Sequence, residues 1–156
     1  WGIPYKIISD STAGYLMQLG EVDLILLGAD RVAMNGDFAN KIGTYTLAVL
    51  AKEHQIPFYS VIPSTTLDPH CATGQDIIIE QRSPNEVTHI TGWTGSELME
   101  VQVTPPHASV LNYAFDVTPA TLVTGFVTPL GILPPSQIFK LGQSRPLQYS
   151  SPKNSF

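Results

Sequence analysis

An α/β fold with a doubly wound, mainly parallel sheet is the architecture that this sequence predicts, on three observations. Two near-continuous apolar runs, residues 22–27 (VDLILL) and 58–62 (FYSVI), have the character of strands covered on both faces. Between them, residues 40–54 carry Ile42, Tyr45, Leu47, Val49 and Leu50 at spacings that suit a helix. The alternation of strand and helix patterns then recurs through the first two thirds of the chain, as a parallel sheet with crossover helices requires.

In chain order, residues 5–9 (YKIIS) form a short apolar run predicted as a strand. Asp10, Ser11 and Thr12 offer N-cap oxygens to a helix over residues 13–19, stopped by Gly20. The strand at 22–27 closes on Gly28, Ala29 and Asp30, and a loop with Asn35, Gly36 and Asp37 leads to the helix at 40–54. The strand at 58–62 ends at Pro63, and residues 76–79 (DIII) read as a further strand or an extended arm. Residues 86–90 and 100–103 are predicted strands. Thr118, Pro119 and Ala120 resemble an N-cap, an N1 proline and a first turn, predicting a helix through Val127. Residues 134–156 hold Pro134, Pro135, Pro146 and Pro152 among Ser and Gln, and are expected to be a disordered tail behind a domain at 1–133.

Composition bounds the function. The 156 residues suffice for one domain with its own core. Charged residues make up only 13%, against about 25% in an ordinary globular domain, which suggests surface hidden in a subunit contact or against a missing partner domain. A net charge of −5 with no basic cluster argues against nucleic acid as a partner. The single cysteine, Cys71, permits no internal disulfide and points to a reducing compartment, the cytoplasm or the nucleus. No run approaches the ~18 apolar residues of a membrane span, so no membrane partner is expected. No signal peptide is visible, and the first residue is Trp1, so anything upstream lies outside this reading.

In doubly wound sheets, ligands bind outside the carboxyl ends of the strands. Three segments are therefore expected at the crevice: Ser9–Asp10, Gly28–Ala29–Asp30 and Pro63–Ser64–Thr65. Asp30 is the leading acid/base candidate, because a carboxylate just past a buried strand is partly desolvated and held nearer neutral pKa. Equally, it could cap a turn or pair with Arg31. Asn40 and Lys41, expected at a helix start, are candidate phosphate ligands through free N–H groups and the lysine charge. An ordinary Asn cap and an exposed lysine fit the same positions, and no GxGxxG is present. His54, His70, His89 and His107 show no metal-ligand spacing with one another or with Cys71, so no metal site is expected. Asp116, flanked by Phe115 and Val117, is expected to hold a loop near the crevice.

The run GADRVAMNGDFANKIGTYTLA, residues 28–48, resembles the central signature of methylthioribose-1-phosphate isomerases. That family is related to the regulatory subunits of the exchange factor for translation initiation factor two and to archaeal ribose-1,5-bisphosphate isomerases. NKIGT, residues 40–44, resembles the whole group, whereas Arg31 and Asp37 resemble the isomerases. PSTTLD (63–68), IIIEQRSPNEV (77–87) and AFDVTPATLVT (114–124) extend the likeness, which runs from about residue 1 to 131. The resemblance implies a Rossmann-like sheet truncated on its N-terminal side. It also implies an aldose–ketose isomerisation in methionine salvage with no cofactor, and a homodimer. Asp30 would be the proton donor, and Asn40 and Lys41 would bind a sugar phosphate. The family's cysteine lies in a part with no counterpart here, and Cys71 does not match it, so the chain alone is expected to be inactive. A non-enzymatic regulatory subunit of the translation-factor type is the alternative.

Overall fold

The computed structural model describes residues 2–143; residue 1 and residues 144–156 lie outside it. In chain order the elements are α1 (Thr12–Gln18), β1 (Ile25–Leu27), β2 (Arg31–Val32), β3 (Phe38–Lys41), α2 (Thr44–Glu53) and β4 (Phe58–Val61). There follow α3 (Asn85–Thr88), β5 (His89–Trp93), β6 (Leu98–Gln102), β7 (Phe115–Thr118), β8 (Gly125–Thr128), β9 (Gly131–Leu133) and α4 (Lys140–Gln143).

The two apolar runs are adjacent parallel strands. β1 pairs with β4 (Ile25 opposite Phe58, Leu27 opposite Ser60), β4 pairs in parallel with β8, and β9 returns antiparallel on β8. Phe58 on β4 and Phe126 on β8 bury their rings against Phe38 of β3, with centroids 6.4 Å and 5.9 Å from it. Ala48 and Ala51 of α2 are buried in the same cluster, where small side chains allow close approach to the rings.

Beside this sheet stands a second, antiparallel one, β2–β3–β7, which the strand-and-helix alternation did not announce. It pairs Arg31 with Ala39 and Asn40 with Asp116. The hairpin β5–β6 forms a third unit whose residues are almost all exposed.

Several expected elements are replaced. Residues 5–9 form no strand; they are exposed, with Ile7 at 90%, and have no ladder partner among the described residues. Residues 76–79 form no strand but irregular chain behind a 3₁₀ turn, Gly74–Asp76, in keeping with an arm; of residues 86–90, 86–88 belong to α3 and only 89–90 are strand, at the start of β5. The helix expected from Thr118 to Val127 is strand, turn and strand: β7 ends at Thr118, Ala120–Leu122 make a 3₁₀ turn, and β8 follows. Thr121, Val123, Thr124 and Val127 are β-branched and fit a pleated surface better than a helix.

The region past Leu133 also departs from expectation. Pro135–Gln137 form a 3₁₀ turn and α4 follows, with Ile138 and Leu141 fully buried in the main core. Two apolar side chains in reach of an unfilled core outweigh the surrounding prolines. The rest of the expected tail, residues 144–156, lies outside the described residues.

Candidate functional site

A cavity of about 760 Å³ opens beside the carboxyl end of β1. Asp10 and Ser11 line it before α1, Asn40 and Lys41 from the end of β3, and Gly43 and Thr44 from the start of α2. Ile8, Leu27, Leu47 and Leu50 supply apolar wall.

Asn40 and Lys41 share this cavity, but not as helix-start residues. Both belong to β3, and α2 begins at Thr44 after Gly43, whose φ of 101° is the left-handed conformation that glycine adopts without strain. The Asn40 Nδ2 donates to the Thr44 Oγ1 at 3.0 Å, and that hydroxyl donates to the Lys41 carbonyl at 2.7 Å. These bonds orient the Asn40 amide and leave the exposed Lys41 side chain at the cavity.

The N–H groups at the start of α2 are partly taken. Gly43 N–H donates to the Asp116 Oδ2 at 2.7 Å and Tyr45 N–H to its Oδ1 at 3.0 Å. A carboxylate from β7 therefore occupies the position that the dipole argument reserved for phosphate. Anion recognition here falls to Lys41 and the side-chain donors. Asp116 performs the anchoring expected of it, across the strand pair that sets Asn40 opposite it.

Asp30 is not among the residues lining the cavity. Its N–H donates to the Ala39 carbonyl at 2.9 Å, which ties it to the residue before Asn40, and its side chain is exposed rather than desolvated. Arg31 does not pair with it: the guanidinium faces the Asp68 carboxylate at 3.6 Å. Of the three segments expected at the crevice, Asp10 lines the cavity, whereas Asp30 and the 3₁₀ turn at Ser64–Thr66 do not.

Asp37 is a scaffold residue. Its carboxylate accepts from Asn35 Nδ2 (2.8 Å), Gly74 N–H (3.0 Å) and Ala120 N–H (2.8 Å), joining its own turn to two distant segments. Desolvation pushes its pKa up, but the bonds from Ala120, Asn35 and Gly74 together outweigh that and hold it below the usual value. Neighbouring Gly36, at φ 90°, lets the turn touch Pro135; a Cβ there would lie 2.9 Å from the Pro135 Cβ. Cys71 is buried, its thiol donating to the Thr73 carbonyl at 3.2 Å. Burial, followed by the Asp76 and Asp68 carboxylates, pushes its pKa up, the opposite of an activated nucleophile. Among the described residues, no cluster of three His, Cys, Asp or Glu side chains is disposed to hold a metal ion, and no helix is long and apolar enough to cross a membrane.

The described geometry, a sheet-end cavity flanked by the 28–48 signature, has counterparts in known proteins. Residues 1–135 match the initiation factor 2 subunit family. The chain belongs to that family. Within it, the chain is 55% identical over 137 residues to a methylthioribose-1-phosphate isomerase of Enterobacter sp. (strain 638), covering 88% of this chain and 39% of that protein. It is 52% identical over 136 residues to one of Aquifex aeolicus (strain VF5), covering 87% of this chain and 28% of that protein. Among solved structures, 5-methylthioribose 1-phosphate isomerase from Pyrococcus horikoshii OT3 superposes with a TM-score of 0.79 at 46% identity, covering 91% of this chain and 38% of that one. The eIF-2B delta subunit from A. fulgidus gives 0.77 at 38% identity, covering 92% and 40%. The chain thus spans about 40% or less of the length of these relatives.

As a member of the initiation factor 2 subunit family, the chain shows what its signature does in three dimensions. NKIGT builds the cavity floor and the α2 start, while Arg31 and Asp37 hold scaffold contacts. The residues that resembled the isomerases most specifically therefore act on the fold around the site.

Proposed function

We propose that this chain is part of an isomerase converting 5-methylthioribose 1-phosphate to 5-methylthioribulose 1-phosphate in methionine salvage. The observation that carries the reading is the cavity holding Lys41 and Asn40 together beside β1. It is supported by the chain's likeness to methylthioribose-1-phosphate isomerases at 52–55% identity.

In this reading, Lys41 neutralises the phosphate as a point charge and the Asn40 amide, oriented by Thr44, binds the sugar. Asp30 is the proton donor that releases the ring oxygen. Its exposure in this chain leaves its desolvation to whatever covers that face during the reaction. The domain at 1–133, extended by the packed segment to 143, forms a homodimer in the cytoplasm; the exposed apolar side chains, Tyr5, Trp93 and Leu98 among them, are the surface that supports association.

Calorimetric titration with 5-methylthioribose 1-phosphate tests the reading, followed by turnover measured as ketose formation. Lys41→Ala should weaken binding about tenfold or more, as loss of a charged phosphate contact does. Asp30→Asn, made in a full-length protein that carries the rest of the site, should bind nearly as well and lose turnover. Absence of binding to the unmodified chain, or full turnover by Asp30→Asn, refutes the corresponding assignment.

The likeness in fold to the eIF-2B delta subunit favours a second reading, a non-enzymatic regulatory protein. Recovery of translation-factor subunits by the chain, with no sugar phosphate bound, would select it.

A further inference from the structure

We propose that Asp10 is a specificity-determining residue of the cavity: its carboxylate accepts hydrogen bonds from the vicinal 2- and 3-hydroxyls of the bound sugar, and so selects ribosyl over deoxyribosyl phosphates. This rests on the sugar-phosphate reading given above.

The Asp10 carboxylate has no partner in the fold. The sequence offered it as a cap for α1, yet no side-chain cap bond is made at the start of that helix. Backbone carbonyls close the turn instead: the Thr12 N–H donates to the Ser9 carbonyl at 2.9 Å and the Ala13 N–H to the Asp10 carbonyl at 3.4 Å. The Ser9 and Thr12 hydroxyls bond each other at 2.7 Å. Among the described residues the Asp10 carboxylate makes neither a hydrogen bond nor an ion pair. Its backbone is nonetheless held on the cavity wall, because α1 stands close against α2: a Cβ on Gly14 would come within 3.1 Å of the Leu50 Cδ1.

Of the residues that line the cavity, only Asp10 and Lys41 carry a charge, and the two are opposite in sign. A sugar phosphate divides in the same way. Its phosphate is drawn to Lys41 and repelled by Asp10, which leaves the hydroxyls to Asp10. An ionised carboxylate accepts only, through two oxygens, and each hydroxyl of a vicinal pair has one proton to donate. An acidic side chain holds a ribose hydroxyl in this manner in dinucleotide-binding sheets. A hydrogen bond to a charged group is worth about 10- to 150-fold in affinity. The exposure of Asp10 places this one near the lower end, since water competes for the carboxylate.

The test is an NMR titration of the 156-residue chain with ribose 1-phosphate, 2-deoxyribose 1-phosphate and inorganic phosphate in parallel. The expected result is affinity for ribose 1-phosphate at least ~10-fold above the deoxy sugar. The Asp10 and Ser11 amides should shift with ribose 1-phosphate and hardly with inorganic phosphate, while the Lys41 amide shifts with all three. Asp10→Ala should bring the ratio of the two sugars close to one, and Asp10→Asn, which keeps one neutral acceptor oxygen, should fall between. Neither variant should weaken inorganic phosphate, because each removes a negative charge from the cavity. Equal affinities of the unmodified chain for the two sugars, or a preference untouched in Asp10→Ala, overturn the proposal and leave the sugar-phosphate reading standing. Loss of inorganic phosphate together with the sugar in Asp10→Ala assigns the residue to the fold and overturns the proposal as well. No binding of any of the three by the unmodified chain overturns both.

Discussion

Replacing Asp37 by alanine removes the acceptor of three hydrogen bonds at once. Asn35 is exposed and recovers a water partner, but Gly74 is buried and Ala120 half-buried, so their N–H groups lose most of their compensation. An unsatisfied buried donor costs about 1–3 kcal/mol, which puts Asp37→Ala at about 2–5 kcal/mol. That is a large share of the about 5–15 kcal/mol that holds a typical domain together. Urea unfolding at pH 7, followed by far-ultraviolet circular dichroism, measures it through the shift in midpoint. The same residue predicts a pH dependence. Its folded-state pKa is depressed, so its contribution is fully present above the unfolded value of about 3.9 and is lost as pH falls through the folded value. The unmodified chain should therefore lose stability below about pH 4 more steeply than Asp37→Ala does. A variant within about 0.5 kcal/mol of the unmodified chain at pH 7, the range of an ordinary surface substitution, would refute the clamp.

Gly74→Ala would set a Cβ 2.6 Å from the Val117 Cγ1 and 2.9 Å from the Asp37 Cβ, and should cost about 1–3 kcal/mol in the same unfolding assay. Ile138→Ala should destabilise by about 2–5 kcal/mol, because its side chain is fully buried in the main core; a near-zero change would show that the segment past Leu133 is not part of it. Asp116→Ala should cost about 0.5–2 kcal/mol, as a lost helix cap does, and should speed hydrogen exchange at the Gly43 and Tyr45 amides while leaving that of Phe126 little changed.

The parallel pair β1–β4 and the body of α2 were legible because burial on both faces writes a continuous apolar run, and a helix writes its own period. The antiparallel sheet was not, because β2 and β3 are short and their sequence, RV and FANK, has too few residues to show alternation. The start of α2 was misplaced for a related reason: Asn40 and Lys41 look like cap and first turn until Asp116, 73 residues beyond Gly43, is seen doing the capping. Thr118–Pro119–Ala120 carried N-cap chemistry that β-branched neighbours overrode, although those neighbours were visible in the sequence. Asn40 and Lys41, picked from an expected helix start and from their motif, and Asp10, picked from its place after the first apolar run, all line the cavity. The scaffold roles of Arg31 and Asp37 could not be read, since each depends on a partner far away in sequence.

The docking of Ile138 and Leu141 bears on how the chain folds as it is made. Phe38, Phe58 and Phe126 all leave the ribosome before these two residues, yet their common cluster includes both. Until the polymerase-like march of translation reaches that segment, the nascent domain holds a greasy cleft open to its surroundings, and such surfaces invite misassociation. A cluster that holds Val32 and Phe58 together with Ile138 and Leu141, about 80 to 110 residues later, is also slow to close. Completion of this cluster therefore waits on Ile138 and Leu141 as well as on the apolar strands that announce the fold.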